Sequence, residues 1–173
     1  MSEKQLIEGC LNGDRSAQEE LYNLYSRKMM GLCLRYVDDR ETARDLLQDG
    51  FVKVFTSLGL YSGAGPLGAW IRRIFINVAI EHLRKKDILN DTIDLDNIQD
   101  FVKEDSSVSR LSAGEIMELV QLLPTGFRTI LNLYAIEGYS HKEIAEKLHI
   151  SEATSRSQYA RAKQWLKKRM EEK

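Results

Sequence analysis

With 173 residues, 43% hydrophobic and 29% charged, and a net charge of −1, the chain has the composition of a globular protein, and its length fits one ordinary domain or two small ones. No apolar run approaches the roughly 20 residues of a membrane-spanning helix, and Met1-Ser2-Glu3-Lys4-Gln5-Leu6 lacks the basic stretch and apolar core of a secretory signal. The expected location is the cytoplasm, without membrane insertion. Cys10 and Cys33 are the only cysteines and form no CxxC pair, which predicts reduced, structural thiols and no zinc site.

Leu21, Leu24, Tyr25, Met29, Leu32 and Tyr36 recur at helical spacing and predict a helix ending near Asp38-Asp39. A second apolar stripe, Ala43, Leu46, Leu47, Gly50, Phe51, Val54, Phe55 and Leu58, predicts another helix packed on a core. Four glycines and a proline between Gly59 and Gly68 exclude regular helix there and predict a loop. The helix expected next, Ala69 to Lys86, places Ile71, Ile74, Phe75, Val78 and His82 on one side. Arg73, Ile76, Asn77, Ile80 and Arg84 fall on the other, with both isoleucines expected to be exposed. Such a face suits phosphates, base edges and a partner protein, whereas the plain alternative is the charged outer face of a bundle.

The near-neutral total conceals an uneven distribution. From Trp70 to Lys86 there are five basic residues against Glu81, and from Ser151 to Arg169 six against Glu152. Between Asp87 and Ser109 lie seven acidic residues and only Lys103 as a base. That middle stretch lacks apolar periodicity and reads as an acidic flexible linker. No segment alternates like a strand. The expected fold is all-α, with two small helical domains, 1–86 and 111–173, joined by a linker over 87–110.

In the second domain, Ser140 with Glu143 forms a capping-box pattern and Ser151 is a second N-cap, so two helices start at fixed places separated by a short turn. This is helix-turn-helix spacing. In its second helix Ser155, Tyr159, Ala162 and Leu166 would face the core. Ala153, Ser157, Ala160, Arg161 and Gln164 would face outward, with Thr154 and Arg156 on the flanks. Small residues interleaved with arginines let a helix lie close in the major groove; a structural helical hairpin is the alternative. His82, His141 and His149 have no metal-ligand spacing, and no phosphate loop, nucleophile elbow or supported carboxylate pair appears. No catalytic residue, metal or cofactor is expected, and the chain is not expected to be an enzyme.

Taken in order, these segments resemble the extracytoplasmic-function sigma factors of bacterial RNA polymerase over nearly the whole chain. Tyr22-Asn23-Leu24-Tyr25 and Ala43-Arg44-Asp45-Leu46-Leu47-Gln48-Asp49-Gly50-Phe51 are similar to that family's conserved region two. Trp70-Ile71-Arg72-Arg73-Ile74 with Asn77 and Arg84-Lys85 is similar to its −10-reading helix. Leu123-Pro124, Arg128, Glu137-Gly138-Tyr139-Ser140, Glu143-Ile144-Ala145 and the Ser151 to Lys163 run are similar to region four, which binds the −35 element.

The resemblance implies a subunit that binds the clamp and flap regions of core RNA polymerase, recognises promoter DNA and assists its melting. It also implies an anti-sigma factor that holds the chain inactive until signalled and is commonly membrane-tethered. For the clamp contact it implies Asp45, Gln48 and Asp49. For the −10 element it implies Tyr61, Ser62, Trp70, Arg73, Asn77, Arg84 and Lys85, with the Tyr61–Gly68 loop capturing a flipped base. For the −35 element it implies Ser151, Thr154, Arg156, Ser157, Ala160, Arg161 and Lys163, and for the acidic linker a path toward the RNA channel. Four residues depart from the pattern: Arg44, where an acidic residue is usual; Gly50, at a cost of about 1 kcal/mol of helix propensity; Ser155, where valine is usual; and Ala160. The rival readings are a free-standing helix-turn-helix regulator, which would need a sensor domain, and a helical adaptor or anti-sigma protein without a DNA role.

Overall fold

In the computed structural model, residues 1–85 and 112–172 are described, and all regular structure among them is helical. The linker expected over 87–110 lies outside the described residues. The chain divides into two compact units, Met1–His82 and Leu83–Lys173.

The first unit contains α1 (Glu3–Leu11), α2 (Arg15–Tyr36), α3 (Arg40–Ser57), a 3-10 turn (Leu58–Leu60) and most of α4 (Leu67–Lys85). Short polar caps fix the helix starts. Ser2 and Gln5 form a capping box on α1, the Asp14 carboxylate accepts from the Ser16 N–H, and Asp39 accepts from the Glu41 and Thr42 N–H groups. The core joins Leu6, Leu21, Leu32, Tyr36, Leu46, Val54, Ile71 and Phe75, all 4% exposed or less. Cys10 and Cys33 are buried free thiols, and burial pushes the Cys33 thiol up to about 12. Leu24, counted above with the apolar stripe, is instead 55% exposed; α2 turns that position away from its neighbours.

Gly50 brings α3 against α4. A Cβ there would lie 2.2 Å from a ring carbon of Phe75, whose edge meets Phe51 at a centroid distance of 5.2 Å. The glycine counted above as a propensity cost is therefore what lets the two helices approach. The expected loop is shorter than Gly59–Gly68: α4 already starts at Leu67, which is fully buried. Gly68 sits inside the helix, where a Cβ would lie 3.3 Å from the Tyr25 ring.

Along α4 the expectation of exposed isoleucines fails. Ile76 and Ile80 are 1% and 3% exposed, and Ala79 and Leu83 are buried with them, while Ile74, Val78 and His82 are only half-buried. Two adjacent apolar rows, Leu67-Ile71-Phe75-Ala79 and Ile76-Ile80-Leu83, make the buried arc much wider than one stripe.

The second unit contains α5 (Ala113–Leu122), α6 (Thr125–Leu131), a π-turn (Asn132–Ile136), α7 (His141–Leu148) and α8 (Glu152–Glu171). Helix α8 packs on α5, α6 and α7. Val120, Leu123, Phe127, Leu131, Ala162 and Trp165 form one buried cluster. Arg128 is 2% exposed and donates from Nη1 to the Gln121 carbonyl at 3.1 Å and from Nη2 to Thr125 Oγ1 at 3.4 Å. The Gln121 carbonyl is one of the groups a helix C-terminus leaves unsatisfied, so this buried cation braces the corner between α5 and α6. No described helix is long and apolar enough to cross a membrane.

Candidate nucleic-acid interfaces

Because the buried arc of α4 is wide, what remains outside is a narrow polar strip. Arg73, Asn77, Arg84 and Lys85 are exposed and Trp70 half-exposed. At 3.6 residues per turn, positions 70, 73, 77 and 84 lie on one line. Glu81 interrupts it with the strip's one acidic side chain, also exposed.

At the N-terminal end of the strip, the Tyr61 ring packs on Trp70 with centroids 5.5 Å apart. The Tyr61 hydroxyl donates to the Gly65 carbonyl, and the Ala64 N–H donates to Ser62 Oγ at 3.3 Å. These bonds tie the 61–65 loop into a compact hook beside Trp70, with Ser62 exposed. Aromatic faces beside cations are the usual equipment for holding an unstacked base and its backbone. The structure thus brings Tyr61, Ser62 and Trp70 together, with Asn77 two turns further along the helix.

On α3, Asp45, Gln48 and Asp49 are all exposed. Val52, one turn on, extends the same face with an apolar side chain 62% exposed. Sequence reasoning passed over Val52 because it breaks no period of the buried stripe.

In the second unit the α7–α8 pair starts at the expected caps. Ser140 Oγ accepts from the Glu143 N–H while the Glu143 carboxylate accepts from the Ser140 N–H, and Ser151 Oγ accepts from the Thr154 N–H at 3.0 Å. The turn between them passes through His149 in the left-handed region, φ 55°, a conformation uncommon outside glycine but adopted more readily by Asn, Asp and His than by other residues. On α8, Ser155 and Ala162 are fully buried, and Trp165 joins them at 8% exposed; Tyr159 and Leu166 are partly buried. Ala153, Arg156, Ser157, Ala160, Arg161, Lys163 and Gln164 are exposed. The outer face has a centre of small residues, with Arg156 and Lys163 on one flank and Arg161 on the other.

Both arginines are held by the protein itself. Arg156 Nη1 lies 2.8 Å from Glu152 Oε1, and the Arg161 guanidinium sits 5.2 Å from the centre of the Phe127 ring on α6. The Glu152–Arg156 pair is legible as an i,i+4 spacing; the Phe127 seat depends on tertiary packing. Ser155 Oγ lies 2.9 Å from His141 Nδ1, so the hydroxyl at this core position has a partner.

Comparison with known proteins agrees with both units. Residues 21–88 match the Sigma-70 region 2 family and residues 113–166 match Sigma-70, region 4. The chain is 29% identical to the RNA polymerase sigma-H factor of Pseudomonas aeruginosa, an alignment covering 98% of this chain and 94% of that one. It is 27% identical to the ECF RNA polymerase sigma factor SigW of Bacillus subtilis over 96% of each chain. Among solved structures it is similar in fold to the sigma factor RpoE of Bartonella quintana, crystallised with the anti-sigma factor NepR, with TM-score 0.52, 18% identity and coverage of 87% of this chain and 94% of that one. It is similar also to CnrH in complex with the cytosolic domain of CnrY, with TM-score 0.51, 20% identity and coverage of 96% and 95%. With regions two and four in their order on one chain, and relatives matched across almost all of its length, this chain belongs to the extracytoplasmic-function sigma factors of RNA polymerase.

Proposed function

We propose that the chain binds core RNA polymerase in the cytoplasm and directs it to promoters carrying matched −35 and −10 elements, acting as a specificity subunit and not as an enzyme. The observation that carries this reading is the presence of two different candidate DNA faces on one chain: a narrow polar strip with an aromatic hook, and a helix-turn-helix with a small-residue centre. The second suits duplex major groove, and the first suits single strand.

In this reading α8 docks on the −35 element through Arg156, Ser157, Ala160, Arg161 and Lys163, with Ser151 and Thr154 at its first turn. Arg73, Arg84 and Lys85 then hold the −10 backbone while the hook of Tyr61 and Ser62, with Trp70 and Asn77, takes the unstacked base. Unstacking costs a few kcal/mol, which binding of the exposed strand offsets, so recognition and opening are coupled. Asp45, Gln48 and Asp49 contact the polymerase clamp, and the second unit meets the flap. An anti-sigma factor holds the chain inactive until signalled; the two solved relatives, each bound to such a partner or to a partner's cytosolic domain, support this.

Run-off transcription with core polymerase on a fragment library from the source genome tests the reading. Discrete transcripts that require the chain are expected. Duplex binding without core association or transcript would assign it instead to the free-standing regulators.

A further inference from the structure

His141 is the first residue of α7 and Ser155 lies in the first turn of α8, 14 positions on, yet Nδ1 of one and Oγ of the other are 2.9 Å apart. Ser155 has no exposed surface. An apolar side chain would fill such a position without needing a partner, whereas a buried hydroxyl is costly unless bonded. The imidazole is also held in its plane. It stacks on Tyr134 with centroids 4.2 Å apart and planes 12° from parallel, and Tyr159 closes on both rings, at 4.5 Å from Tyr134 and 5.7 Å from His141. The π-turn, α7 and α8 therefore meet at one fixed ring.

Ser155 immediately precedes Arg156, so whatever anchors Ser155 also fixes where the Arg156 side chain leaves the helix. Burial and the Arg156 charge hold the His141 ring below its ordinary titration range, against an opposing pull from Glu152. The ring that makes this bond near neutral pH is the uncharged one.

We propose that His141 is a positioning residue for −35 recognition: its bond to Ser155, kept in register by the stack on Tyr134, sets the angle at which the first turn of α8 presents Arg156. This rests on the reading of α8 as the −35 helix. Two tight contacts converge on one ring, and the ring joins the two helices whose relative angle decides how a helix-turn-helix enters a groove.

A double-variant cycle in the reconstituted holoenzyme tests it. His141→Phe keeps the stack but orphans the hydroxyl, and Ser155→Val orphans the imidazole nitrogen. The pair together removes both polar groups and leaves neither as a buried orphan, so its melting temperature separates a loss of stability from a loss of geometry. Each single substitution and the pair together are expected to weaken binding to an intact promoter by about 3- to 10-fold, without additivity because all three remove the same bond; a double variant restored to wild-type binding would mean that the bond does not set the angle. All three are expected to bind a promoter with a scrambled −35 element as wild type does. Additive losses, unchanged single variants, or equal losses on the scrambled promoter would overturn the assignment. So would single variants that melt while the double variant stays folded, since the pair would then serve stability alone. A wild-type holoenzyme that makes no promoter-specific transcript would instead sink the sigma reading, and this inference with it.

Discussion

Gly50→Ala exchanges the weakest helix former short of proline for the strongest, and on propensity alone it should stabilise α3 by about 1 kcal/mol. The packing argues the reverse. The added Cβ would stand 2.2 Å from one Phe75 ring carbon and 2.5 Å from two others, where carbon pairs normally rest at about 3.5–4.0 Å. Over an ångström of relief is needed. Phe75 is fully buried and its ring is wedged edge-on against Phe51, so relief must come from parting α3 and α4. Overpacking of this kind costs about 1–3 kcal/mol, and an immobile ring belongs at the upper end. The net expectation is a loss of about 1–2 kcal/mol, equivalent to a drop on the order of 5–15 °C in the melting temperature of a unit this size. Amide hydrogen exchange resolved by peptide reads it directly: peptides from α3 and α4 should exchange faster while those from α5 to α8 stay unchanged. Protection equal to or above wild type in α3 would mean that the ring has room, and that the close approach does not explain the glycine.

Replacing Arg161 with Ala should weaken −35 duplex binding by about 1–3 kcal/mol, and Arg161→Lys should recover little of it, because the planar fork is lost; titration of the full chain against promoter duplex decides, and unchanged affinity removes Arg161 from the reading face. Asn77→Ala should impair promoter opening more than initial docking, so permanganate reactivity of the −10 strand should fall while closed-complex footprints persist. Footprints identical to wild type would end that role. Because His141 titrates below its ordinary 6.5 when folded, the unfolded chain binds the extra proton more readily. Its contribution favours folding fully above about pH 6.5 and is lost progressively as pH falls through that value toward the lower folded one. Urea titrations between pH 7.5 and 5 should show an acid-side loss in the second unit that His141→Phe lessens, and an equal loss in the variant would point to other groups.

Local rules carried much of the fold. The start of α7 was readable because a serine followed three residues later by a glutamate satisfies two orphan amides by chemistry that needs no tertiary partner, and that of α8 because Ser151 is a good N-cap for the Thr154 amide. The period of α3 was equally plain. Helix α4 misled because its apolar positions form two adjacent rows, and a reading that allows one buried stripe must put Ile76 and Ile80 outside. Leu24 failed in the opposite direction, an apolar residue in phase with the stripe but turned to the surface. At the candidate sites, exposure of the α8 face followed from its periodicity, whereas the seating of Arg161 on Phe127 and of Ser155 on His141 joins positions 34 and 14 residues apart. Periodicity carries no information about such pairs.

On α8 the residues that make the fold and those that face outward occupy separate lists. Ser155, Ala162 and Trp165 pack, while Ala153, Ser157, Ala160 and Gln164 are exposed in its outer face. Substitutions at exposed positions of this kind usually change stability by no more than about 0.5 kcal/mol. With this face reading the −35 element as proposed, promoter preference can drift one side chain at a time without passing through an unfolded intermediate, and duplicated copies of such a chain can diverge into separate regulatory circuits while keeping the same scaffold.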